Sequence, residues 1–236
     1  RDRSPSRGLG DVYKRQFLSL LAQNIINVTD TAFLGRVGEV ELGAAAMGGL
    51  YYICAFTIAF GFSTGSQIVM ARRNGERNYR EVGPVMIQGV FFLLVLAATL
   101  FILSRLFAAD ILRVLISSDT ILHATEEFLD WRIFGFFFSF VNVMFRALFI
   151  GITRTKVLTI NAILMAVTNI ILDYLLIFGY GGFPQMGIKG AAIASVIAEA
   201  VSILFFLVYT RLTVDKRKYG LDKITSFDLN LLKRVL

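Results

Sequence analysis

Cysteine and histidine each occur once, as Cys54 and His123, and charge is scarce: Asp, Glu, Lys and Arg make up 17% of the 236 residues. One cysteine rules out an intrachain disulfide, and one of each residue rules out a zinc centre built on Cys and His. Proline is limited to three residues, whereas the 20 glycines are used as freely as in transmembrane helices that pack closely. With 56% hydrophobic residues and a mean hydropathy of +0.67, a soluble domain is excluded, since its apolar share is about 45–50%. The formal net charge of +7 does not point to nucleic acid. The basic residues fall between apolar runs, where the positive-inside rule places them.

Residues 1–16, RDRSPSRGLGDVYKRQ, are polar, carry five basic residues and have neither the apolar core nor the cleavage pattern of a signal peptide. They read as a non-native leader that resembles translated linker sequence, so the native start of the first helix is expected to be missing. Six apolar runs come next, at about 17–35, 43–70, 84–104, 128–152, 157–180 and 188–212. Each meets the length of about 17–25 residues that a membrane-crossing helix needs. The fold class is therefore an all-α polytopic integral membrane protein, a six-transmembrane-helix bundle over 17–212. Lys and Arg favour one set of connecting segments over the other by thirteen to four. That asymmetry puts both chain ends in the cytoplasm, in the inner (plasma) membrane of the cell. Residues 108–127 mix Leu112, Leu115, Ile116, Ile121 and Leu122 with charges, which predicts a helix lying on the outer interface. Residues 213–236 are basic, then amphipathic, and read as a cytoplasmic linker.

The run Val157 to Tyr180 is long enough to cross a bilayer yet contains Asp173. An ionisable group in hydrocarbon costs roughly 2.5–3.5 kcal/mol on insertion scales, so it is a functional candidate by default. Asn169 lies one turn earlier on the same face, and Asn161 and Thr168 extend the polar stripe. In the first run Gln23, Asn27, Asp30 and Thr31 share a face. Counting back from the outer ends at about 1.5 Å per residue puts Asp30, Asp173 and Ser195 at one depth, with Asn169 and Glu199 about one turn deeper. Carboxylate, amide and hydroxyl oxygens at one level suit a hard cation or an exchangeable proton. Asn27 and Glu199 are additional polar candidates. Arg132 and Arg146 stand near the two ends of the fourth run, where long side chains snorkel, and Arg146 is also a candidate partner for a carboxylate. Gly190, Ala194 and Ala198 form a small-residue row suited to close helix approach, and Gly61 with Gly65 reads the same way. Gly61-Phe-Ser63-Thr-Gly65 matches the G-x-S-x-G hydrolase pattern, but it lies mid-span without the strand-to-helix turn that the pattern requires.

Several segments together resemble the MATE (multidrug and toxic compound extrusion) transporters. They are Asn27-Val-Thr-Asp30-Thr31 with Phe33-Leu-Gly-Arg-Val-Gly38, Gly151-Ile-Thr-Arg-Thr155, Asn169-Ile-Ile-Leu-Asp173, and Gly187-Ile-Lys-Gly190-Ala-Ala-Ile-Ala-Ser195. The resemblance implies one lobe of a two-lobed, twelve-helix antiporter that exports cationic or amphiphilic small molecules against Na⁺ or H⁺. It makes 213–236 a linker toward a missing carboxy-terminal lobe. It also implies a cation or proton site at Asp30, Asn169, Asp173 and Ser195, with Na⁺ a possible metal there, no cofactor, and no enzymatic activity. The alternative within the wider superfamily is a lipid-linked-oligosaccharide flippase or polysaccharide exporter. An intramembrane enzyme needs a catalytic set such as H-E-x-x-H, which the sequence lacks.

Overall fold

The computed structural model describes residues 10, 14, 17, 21, 28–214 and 216–220. Apart from residues 10 and 14, the expected leader lies outside them, as do nearly half of the first expected span and the expected linker beyond residue 220. Helix α1 covers 28–37 and α2 covers Glu39–Gly75. A 3-10 turn at Tyr79–Glu81 leads into α3 (Val82–Leu115), followed by α4 (Asp119–Arg132) and α5 (Gly135–Gly151). Then come α6 (Lys156–Phe178), α7 (Ile188–Thr213) and the short α8 (Lys216–Tyr219), with no strand among the described residues. The helices α2, α3 with its leading turn, α6 and α7 are each long and apolar enough to cross a bilayer. The pair α4 and α5 meets the same length and hydropathy test only when taken together across a 55° bend, the geometry of a broken span or a re-entrant loop. The most apolar stretches of the four straight spans bury only 22–39% of their residues inside the protein, and Leu106, Val114, Leu204 and Leu212 face outward. In water that surface would drive aggregation; against lipid tails it carries no such penalty.

The middle of the chain departs from the sequence-based expectation in two ways. First, α3 continues to Leu115 and α4 opens at Asp119, so no separate interfacial helix covers 108–127. Charged residues along 108–115 do not terminate a helix that still has good helix formers; the chain turns extended only at Ile116. Second, the run expected as one span at 128–152 is broken at Ile133 and Phe134. The break leaves few backbone groups stranded. Ile133 N donates to Leu129 O at 3.0 Å and Phe136 N to Ile133 O at 3.1 Å. Arg105 Nη2 donates to Asp130 O at 2.8 Å while its guanidinium lies 5.2 Å from the Phe101 and Phe134 ring centroids. In a membrane such internal satisfaction is obligatory, because lipid offers no substitute partner.

The core centres on α5, whose Phe136, Phe140, Met144, Leu148 and Phe149 are almost completely buried. Phe145 and Phe149 both stack on Phe206 of α7, at 5.4 and 5.5 Å between centroids, and Phe136 stacks on Tyr52 of α2 at 5.2 Å. Aromatic rings are thus the joints among α2, α5 and α7.

The helices α6 and α7 form a tight antiparallel hairpin. Gly179 ends α6 in the left-handed conformation (φ 76°), and Met186 N returns to Leu176 O at 2.9 Å. At Gly190, a Cβ would come within 2.7 Å of Leu176 O and 3.0 Å of Ile177 N, so the helices touch backbone to backbone there. Ala191, Ala192, Ala194 and Ala198 continue the buried small-residue row. The row read at Gly61 differs: Gly61 has open space around it.

At the arginine-rich end of the bundle, Arg154 Nη1 donates to Thr213 O at 3.0 Å, the last turn of α7, where a cation also meets the negative end of the helix dipole. The segment 216–220 folds back on the turn between α2 and α3. Tyr219 meets Tyr79 edge to face at 5.8 Å, and Gly220 (φ 70°) lies against the Arg80 carbonyl and the backbone beside Gly83.

Two substitutions test these contacts. Gly190→Val is expected to push α6 from α7 and cost about 1–3 kcal/mol, as overpacking does, measured as a lower unfolding midpoint in detergent. Gly220→Ala is expected to free 216–220 from the α2–α3 turn and to speed limited proteolysis after Thr213, without lowering that midpoint comparably.

Candidate functional site

Asp173 lies five residues before the end of α6, away from the arginine-rich end, and is fully buried. Asn169, one turn earlier, is buried beside it. The α1 helix brings Asp30 to the same place, because Phe33 packs edge-on against Phe178 at 5.5 Å and on Tyr174 at 6.3 Å. One amide joins the two acids: Asn169 Nδ2 donates to Asp30 Oδ1 at 3.0 Å and to Asp173 Oδ2 at 3.3 Å. Asp30 is half-buried, whereas Asp173 Oδ1 is buried and has no hydrogen-bond partner. Three of the four residues expected at the site therefore meet.

Ser195 does not join them. It is half-buried on α7 and makes no hydrogen bond to Asp30, Asn169 or Asp173. Two fixed points set the α6–α7 register, the contact of Gly190 with Leu176 and the hydrogen bond from Ser202 Oγ to Asn161 Oδ1 at 2.8 Å. Between them, Ser195 falls level with Asn169. Depth along the bundle gives its level but not its rotation about the helix axis. Asn161 spends its polar side chain on Ser202, and Thr168 returns its hydroxyl to Leu164 O of its own helix at 2.8 Å. Asn27 and Gln23 lie outside the described residues.

Glu199 belongs to a separate cluster. Arg132, the last residue of α4, forms a bidentate pair with it, Nη2 to Oε1 at 2.7 Å and Nη1 to Oε2 at 3.0 Å. The Tyr52 hydroxyl reaches both Glu199 oxygens at 3.3 Å and hydrogen-bonds to Ser139, while the guanidinium lies 3.7 Å from the Tyr52 ring centroid. Gly135, the first residue of α5, makes room: a Cβ there would collide with Arg132 Nη1 and Glu199 Oε2. Arg132 does not snorkel; its side chain is 13% exposed and turned inward. The sequence carries no signal that pairs Glu199 with Arg132, because the break after Arg132 is not legible in it. Arg146 is exposed, has no carboxylate partner among the described residues and lies 6.0 Å from the Phe60 ring centroid.

The two clusters differ in what they leave available. Both Glu199 oxygens face donors, a bidentate guanidinium and the Tyr52 phenol, so that carboxylate is far better satisfied than Asp173. At Asp30 and Asp173 one amide serves two acids and a buried oxygen is left over. The described residues contain no group of three His, Cys, Asp or Glu side chains close enough to hold a metal ion. At this site the oxygens on hand are those of the two carboxylates, since Asn169 turns its Nδ2 to both of them.

The MatE family profile matches residues 16–175. Among curated relatives, the probable multidrug resistance protein NorM of Agrobacterium fabrum is 29% identical over 202 residues, covering 85% of this chain and 43% of its own length. The probable multidrug resistance protein YoeA of Bacillus subtilis is 28% identical over 224 residues, covering 93% and 47%. The chain thus spans about half the length of these relatives. A solved multidrug resistance MATE family transporter of the MOP superfamily in an outward-facing conformation superposes with a TM-score of 0.83 at 20% identity, over 94% of this chain and 48% of that one. An inward-facing structure described in the same words superposes with a TM-score of 0.80 at 21% identity, over 90% and 48%. With the profile matched across well over half of its residues, the chain belongs to the MATE family.

Proposed function

We propose that this chain forms one lobe of a cation-coupled antiporter that exports cationic or amphiphilic small molecules, with Asp30, Asn169 and Asp173 as the coupling site. The observation that carries the reading is the Asp173 Oδ1 atom, buried in an apolar bundle with no donor. An unpaired carboxylate oxygen is costly there; a proton on it or a Na⁺ ion beside it removes the cost. Binding and release of that ion change how strongly α1 is held to α6, because Asp30 and Asp173 share the Asn169 amide. That contact joins separate helices and is a natural point for ion occupancy to bias helix packing.

Alternating access follows if this lobe rocks against a second one. The similar TM-scores to outward- and inward-facing neighbours, 0.83 and 0.80, support a unit that moves largely as one body. The multidrug names of the relatives support small-molecule substrates and do not favour the lipid-linked-oligosaccharide reading. The excess of Lys and Arg on one set of connecting segments supports cytoplasmic chain ends in the inner membrane.

In the complete transporter, Asp173→Asn is expected to insert at normal levels and to lose gradient-driven efflux of a fluorescent organic cation. Asp30→Asn is expected to behave alike, whereas Ser195→Ala retains most activity. Efflux from vesicles under separately imposed Na⁺ and pH gradients measures this and identifies the coupling ion. Unchanged efflux by Asp173→Asn at matched protein levels refutes the assignment.

A further inference from the structure

The Arg132–Glu199 pair sits where the bent span changes direction, and its neighbours come from both sides of the break. Arg132 ends α4, Gly135 and Ser139 begin α5, Tyr52 belongs to α2 and Glu199 to α7. From the other side, Arg105 of α3 occupies the Asp130 carbonyl and the Phe134 ring. The break is thus fastened both toward α7 and toward α3. The α7 helix is in turn locked to α6 by the Gly190 backbone contact and by Ser202 to Asn161, less than one turn along from Glu199. The α6 helix carries Asn169 and Asp173.

We propose that Arg132 and Glu199 are a positioning pair: they bind no mobile ion, but hold α7, and with it α6, at the setting in which Asn169 and Asp173 meet Asp30. The geometry favours this role over transport. A bidentate guanidinium and a phenol occupy both carboxylate oxygens, and Gly135 leaves no spare space around them. A paired buried charge of this kind contributes geometry more than stability, since an apolar pair of similar volume replaces it at little cost while loss of one partner is severe. The inference rests on the reading of Asp30, Asn169 and Asp173 as a coupling site.

The test uses the complete transporter with Arg132→Met, Glu199→Leu, the double variant, Gly135→Ala and, in parallel, Asp173→Asn. Membrane level, unfolding midpoint and efflux against coupling-ion concentration are measured for each. Arg132→Met and Gly135→Ala are expected to lower the midpoint and to raise the half-saturating ion concentration roughly three- to thirtyfold, the range of energetic coupling between connected sites. Their maximal rate per inserted molecule stays near that of the parent. The double variant is expected to recover both midpoint and half-saturation. If the single variants do not insert, the double variant decides. Unchanged half-saturation in inserted single variants overturns the proposal. So does a double variant that inserts stably yet transports at no ion concentration, because the charges themselves then take part. Normal efflux by Asp173→Asn overturns the coupling-site reading instead and is scored separately.

Discussion

Hydrocarbon supplies neither donors nor acceptors, so every polar group this chain carries into the bilayer must find its partner within the protein. That constraint explains details that otherwise look unrelated. It accounts for Ser202 bonding to Asn161 and Thr168 turning its hydroxyl to Leu164. Among the described residues two buried side-chain atoms do not meet the requirement, the Thr210 hydroxyl and Asp173 Oδ1, and only the second belongs to an ionisable group. An unsatisfied oxygen on a surface loop would have no such significance, since water would fill it. Inside an apolar bundle it is a cost that the fold carries, and the proposed coupling role gives that cost a purpose.

Two buried acidic centres lie within a few turns of each other on the α6–α7 hairpin, and their chemistry separates them. Glu199 is matched by a permanent cation in bidentate geometry, the strongest and most directional pairing available to a carboxylate. Asp173 has only an amide, which it shares with Asp30. Saturation fits the first for holding helices together; incompleteness fits the second for exchange. Had the arginine stood beside Asp173, its fixed charge would have excluded a competing cation, and the site would have been a strut. The division of labour thus depends on where the guanidinium is placed, and the break after Arg132 is what places it, because the change of direction turns the end of α4 toward α7.

How much of this is legible in the sequence depends on which physical quantity sets each feature. Length and hydropathy carry the existence of the spans, and α6 and α7 end within two residues of the expected positions, 157–180 and 188–212. The one-turn spacing of Asn169 and Asp173 carries their shared face, and both meet Asp30 as expected. Rotation about the helix axis is not encoded in depth, and so Ser195 lies level with the site without entering it. The break at Ile133 and Phe134 is hidden because no proline marks it and a glycine such as Gly135 is common inside membrane helices. Without the break, Arg132 counts as a residue near the end of a span, where snorkelling is the default. In fact it closes a 14-residue helix that a 17-residue helix follows, which puts it near the middle of the bent pair. The continuation of α3 through 108–115 escapes the sequence for the opposite reason: charge suggests an interface there, although the alanines, leucines and Arg113 favour helix.

Small residues decide how closely the polar groups can be brought together. Lipid tails give helices no hydrophobic reason to associate, so contact must come from packing and from hydrogen bonds across the interface. At Gly190 the α6 and α7 backbones touch, which brings Ser202 within reach of Asn161 and fixes the register. At Gly135 the missing side chain is the space in which Arg132 and Glu199 meet. A larger residue at either place would not remove a polar group, yet it would separate a polar group from its partner. In hydrocarbon the two losses are equivalent, and for that reason these glycines belong to the architecture of the clusters as fully as the polar residues they bring into contact.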